Sequence, residues 1–88
     1  MADFIHARQR LAKGDVVIVQ CSHQCNIFVL DDANFGLYRK RQKFKFHGGH
    51  FTHFPARIAV PDEGNWNTVI DLGGRTAAIQ HAISYFRP

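Results

Sequence analysis

Residues 43–54 read Lys43-Phe44-Lys45-Phe46-His47-Gly48-Gly49-His50-Phe51-Thr52-His53-Phe54 and hold half of the chain's eight phenylalanines and half of its six histidines. Lys43, Lys45 and His47 alternate with Phe44 and Phe46, the period of two that gives a strand one apolar face and one wet, basic face. The expectation is a strand whose rings enter the core. Gly48 and Gly49 tolerate positive φ, so the chain is expected to turn or bulge there before resuming through Phe51 and Phe54.

Working outward, the chain has 88 residues and therefore one domain, a single β domain over 1–88. A chain of this size buries roughly 60 to 65 per cent of its unfolded surface. Apolar residues make up 45% and charged residues 20%, a globular rather than a disordered composition. No apolar run exceeds four residues, as at residues 27–30, far short of the roughly 20 residues that span a bilayer. No apolar leader follows Asp3, so the expectation is a cytoplasmic protein with no membrane partner. A net charge of +4 favours acidic partners weakly. Two cysteines without a secretion signal point to reduced thiols, leaving stability to packing.

The first ten residues are mixed and fit either an edge strand or one frayed helical turn, of which the strand is the preferred reading. Lys13-Gly14-Asp15 is a turn signal. Residues 16–21 are rich in β-branched side chains and nearly all apolar, so a strand with both faces covered is expected. Ser22-His23-Gln24 reads as a hairpin loop before a returning strand over 26–30. Near residues 32–38 a short helical turn is expected, capped by Asp32, kept short by Gly36, with Phe35 and Tyr38 on one face. Arg39-Lys40-Arg41-Gln42 is a basic loop. Pro55 ends an element, 57–60 is a brief strand, 61–65 a dense turn and 66–72 a strand closed by Gly73-Gly74, with Asp71 placed to bond the turn amides. Residues 77–86 fit a strand or a helix equally by periodicity. Roughly six to eight short strands predict an all-β, mainly antiparallel fold, a small sandwich or barrel. Phe44, Phe46, Trp66, Val17, Ile27, Val29 and Ile70 are the expected core.

Cys21, His23 and Cys25 would share one face of a straight strand and present zinc ligands, with His47, His50 or His53 as a fourth. One thiol pair without a second, broken by a loop, reads instead as two small buried hydrophobes, so no metal and no cofactor is expected. Ser22, Ser84 and the thiols lie in no nucleophile motif, and neither Gly-Gly pair is followed by the Lys-Ser or Lys-Thr of a phosphate loop. Asp31 with Asp32 and Asp62 with Glu63 read as cap and turn residues rather than an acid–base pair. The expected function is a non-enzymatic binding or interaction module. Its expected ligand site comprises Arg39, Arg41, Lys43, Lys45, His47 and His50, and its partner is a protein or an acidic ligand. The alternative is single-stranded nucleic acid bound through residues 39–54, with Phe51 or Tyr38 stacking on bases. Neither reading fixes the oligomeric state.

Gly14-Asp15-Val16-Val17, Asp32-Ala33-Asn34-Phe35 with Tyr38, Gly48-Gly49-His50, Pro61 with Gly64 and Trp66, and Val69-Ile70-Asp71-Leu72-Gly73-Gly74 occur in this order. Together they resemble a small bacterial domain of unknown function, the family numbered 1883. That resemblance covers nearly the whole chain and implies a compact, mainly antiparallel β domain, found alone or joined to signalling-type domains such as the TIR class. It implies no activity, ligand or catalytic residue, and it favours a strand over residues 77–86. Cys21, His23, Cys25 and His53 fall outside its motifs.

Overall fold

The computed structural model describes residues 4–71 and 79–88. Its elements in chain order are β1 (Phe4–Leu11), β2 (Val16–Cys21), β3 (Cys25–Asp31), α1 (Asp32–Arg39), β4 (His47–Phe51), β5 (Ala56–Ala59), β6 (Gly64–Asp71) and β7 (His81–Phe86). The strands form two antiparallel sheets, ordered β1-β6-β3-β4 and β5-β2-β7. The mainly antiparallel β expectation holds, as a sandwich rather than a closed barrel. Among the described residues, no helix is long and apolar enough to cross a membrane.

Alternation decides which side chains meet between the sheets. Ile27 and Val29 of β3 lie beside Ile70 and Thr68 of β6, and Val17 and Val19 of β2 lie beside Ile58 and Ala56 of β5. All of these are buried. Each fully buried Val or Ile stabilises the fold by about 1.5–3 kcal/mol. Leu11 and Trp66 complete the same cluster. The turn before β2 is also as expected. Gly14 takes φ +88°, and Asp15 Oδ2 accepts from the Ala12 amide at 2.8 Å. Arg87 reaches the same carboxylate at 3.3 Å. With these donors on it, the backbone amide of Ala12 foremost, the Asp15 carboxyl lies below its usual range.

Most links carry the chain from one sheet to the other. The link between β2 and β3 is one of them, so Ser22-His23-Gln24 bridges the sheets and is not a hairpin loop. The link from β3 to β4 stays on the first sheet and lays α1 and residues 40–46 over its outer face. There Phe4, Phe28, Phe35, Tyr38, Phe44 and Phe46 form a second apolar layer with edge-to-face contacts, Phe28 to Phe46 at 4.6 Å and Tyr38 to Phe44 at 5.3 Å.

That layer corrects the reading of residues 43–47 as a strand. Residues 42–46 are irregular, and β4 begins at His47. The Lys45 amide donates to Asn34 Oδ1 at 2.8 Å instead of to a neighbouring strand. Phe44 and Phe46 therefore sit in the outer layer and not in the inter-sheet core. Gly48 and Gly49 lie inside β4 rather than in a turn, with φ +121° and +146°. A Cβ on Gly48 would run into the Ile27 carbonyl oxygen, so the positive φ serves a close backbone approach.

Two smaller corrections follow the same helix and strand ends. The cap of α1 is Asp31, not Asp32: its Oδ1 accepts from the Asn34 amide at 2.8 Å. Strand β2 is covered on one face, where Val17 and Val19 are buried, while Val16 and Ile18 are half-buried on the other. For the end of the chain, β7 decides strand over helix across 81–86. The expected Gly73-Gly74 turn lies outside the described residues.

Candidate functional site

An open groove of about 580 Å³ lies where three segments converge. The end of β3 and the first turn of α1 supply Leu30, Asp31 and Asn34. Residues 44–47 supply Phe44, Lys45, Phe46 and His47. The turn between β5 and β6 supplies Pro61 and Asp62, with Trp66 behind them. Its size is that of a small-ligand or short-peptide site.

Each part is held by a contact that follows from local sequence. Asp31 Oδ1 also accepts from Asn34 Nδ2 at 2.9 Å, which orients the amide so that its oxygen holds Lys45. Trp66 Nε1 donates to the Asp62 carbonyl at 2.9 Å and so ties the turn to β6. The imidazole of His47 stands edge-on to the indole at 5.9 Å. Phe46 remains 43% exposed. The groove thus presents Lys45 and His47, two carboxylate residues and an apolar ring.

Of the six residues expected at the site, Lys45 and His47 line this groove. The other four lie elsewhere. Arg39 sits 5.9 Å from the centre of the Phe35 ring. Arg41 turns the chain with φ 58°. Lys43 is exposed, and His50 pairs with Asn26 Oδ1 through Nδ1 at 3.1 Å. Asp31, Asn34, Asp62 and Trp66 were not expected at a site. The Asp31-x-x-Asn34 spacing is a legible cap signal, but the meeting of 61–62 with 44–47 is tertiary.

The remaining polar groups serve the scaffold. Arg8 grips Asp32 through Nε at 3.0 Å and Nη2 at 2.8 Å, and Asn67 Nδ2 donates to Asp32 Oδ1 at 2.8 Å. Arg8, then Asn67, hold the Asp32 carboxyl down to about 2, and the carboxylate in turn raises Arg8. With its amide nitrogen also donating to the Leu30 carbonyl, Asn67 offers Oδ1 to His6, so His6 Nε2 carries the proton at 2.8 Å. Tyr38 donates to Asp71 Oδ2 at 2.6 Å, and burial followed by this bond raises its phenol. These bonds fasten α1 to β1 and β6.

Cys21 and Cys25 are free thiols at the edge of the inter-sheet core. Burial, and secondly Cys21, pushes the Cys25 thiol up to about 12. It is therefore protonated at neutral pH and packs as a small apolar side chain. His23 is exposed and bonded to Ser22. Among the described residues, no three of His, Cys, Asp and Glu gather as a metal site.

A family model described as Domain of unknown function (DUF1883) matches residues 2–88. Comparison with curated proteins and with solved structures gives no match.

Proposed function

We propose that this chain, which belongs to the DUF1883 family, is a binding module without catalytic activity whose ligand is a short protein segment seated in the groove at residues 44–47. The observation that carries this is the exposed Phe46 ring, set between Lys45 and His47 in a cleft that also holds Asp31 and Asp62. A ligand matching that lining needs an apolar side chain for the ring and both signs of charge nearby. Protein segments offer that mixture. A reducing compartment such as the cytoplasm suits the unbridged Cys21 and Cys25.

Single-stranded nucleic acid fits less well. Phe51 packs against the inter-sheet core, and Tyr38 is held among Phe4, Phe28 and Phe44 with its hydroxyl on Asp71. Neither ring is presented for stacking. Asp31 and Asp62 oppose phosphate in the groove.

Selection from a random peptide library against the wild-type domain tests the reading. Selected peptides are expected to bind at least about tenfold more weakly, or about 1.4 kcal/mol, to Lys45→Ala and Phe46→Ala, with Arg41→Ala unchanged. Binding indifferent to Lys45 and Phe46 overturns the proposal. So does tight oligothymidylate binding that survives physiological salt and is lost in folded Phe46→Ala.

A further inference from the structure

Each sheet has two edges, and three of the four edge strands carry guards against pairing with another chain. On β1 these are Arg8 and Arg10, on β4 the glycine pair with positive φ, and β5 has only four residues, including Arg57, and is followed by Pro61. Strand β7, His81-Ala82-Ile83-Ser84-Tyr85-Phe86, has no lysine, arginine, acid, proline or glycine. It pairs with β2 on one side, and among the described residues nothing pairs with its other side. Tyr85 and Phe86 are 37% and 55% exposed, on opposite faces of this strand.

We propose that β7 is a self-association edge: two copies of the chain pair their β7 strands antiparallel about a two-fold axis through Ser84, joining two three-stranded sheets into one of six strands. Symmetry limits the choices. An antiparallel pair with its two-fold normal to the sheet sets one residue opposite itself and its neighbours opposite each other in reciprocal pairs. With Ser84 on the axis, Phe86 lies opposite the small Ala82 of the second copy on the outer face. On the inner face Tyr85 lies opposite Ile83. Aromatic–aliphatic pairs of this kind favour strand pairing. Arg87 lies one residue beyond the strand, and the two-fold sets it opposite His81 of the second copy rather than opposite another arginine. Charge therefore does not oppose the approach, and the exposed rings gain cover. This edge lies on the far side of β2 from β5, away from the groove, so it stands or falls independently of the groove reading.

Sedimentation velocity of the whole chain at increasing concentration tests the proposal, with Ser84→Lys and Ser84→Asp as variants. Ser84 is exposed, and unchanged circular-dichroism melts will show that both variants fold. Wild type is expected to move from 10.0 kDa to twice that mass, and each variant alone to stay monomeric because like charges meet on the axis. An equimolar mixture of the two variants is expected to regain the dimer. A wild type that stays monomeric at its highest soluble concentration overturns the proposal, as does a dimer that persists in Ser84→Lys or a mixture that fails to dimerise. In the first case, an exposed β7 left for a strand of another protein becomes the alternative.

Discussion

The two faces of the first sheet are built from different chemistry. Its inner face meets the second sheet through Ile27, Val29 and Ile70, which are fully buried and all β-branched. Its outer face carries rings, Phe28 among them, covered by α1 and residues 40–46 and left half-open, with Phe46 43% exposed. Two packed sheets bury small side chains completely because strand registry repeats across the interface. One short helix and an irregular segment give incomplete cover, and wide rings fill the uneven gap. The inner layer therefore holds the fold together, and the outer layer shapes the groove.

Substitutions in the two layers should separate these roles. The largest effect is expected for Trp66→Ala, which empties part of the inner cluster and costs about 3–5 kcal/mol, much of the stability of so small a domain. Urea denaturation checks it, and an unchanged midpoint would place the indole outside the core. Phe44→Ala removes a half-buried ring from the outer layer and is expected to cost about 1–2 kcal/mol in the same measurement. A loss as large as that of Trp66→Ala would erase the distinction between the layers.

The smallest effect concerns the polar clamp beside the outer layer. Asp32 is held well below its ordinary range, so its contribution is present above about pH 4. It is lost as pH falls towards its folded value of about 2. Because the pair is half-exposed, the effect is modest. The melting temperature of Asp32→Asn is expected to fall less than that of wild type between pH 4 and pH 2. Parallel pH profiles would show that the clamp adds nothing.

The inner layer was largely legible in the sequence because the apolar, β-branched runs at residues 16–21 and 26–30 mark strands that a flat, repeated interface covers. Val17, Ile27, Val29, Trp66 and Ile70 all reach it. The outer layer was not legible, and Phe44 and Phe46 show why. Their alternation with lysines matches a strand, yet two rings from an irregular segment reach the same neighbour, Phe28, with the same spacing. Gly48 and Gly49 signalled positive φ correctly, but a turn and a close approach to the Ile27 carbonyl demand the same freedom. Half of the groove was hidden for a different reason. Asp62 and Lys45 line one groove only because the β5–β6 turn folds beside residues 44–47, and no local pattern records that placement.

On the proposed function, the groove over residues 44–47 receives the ligand. Titration of ¹⁵N-labelled protein with a library-selected peptide, followed by heteronuclear correlation spectra, tests it most directly. The indole N–H of Trp66, bonded to the Asp62 carbonyl at 2.9 Å, is a reporter at the back of the cleft. It is expected to shift together with the amides of Lys45, Phe46 and His47. Shifts confined to residues 39–43 or to β7, with the indole signal unmoved, would place the ligand outside the groove and overturn the proposed function.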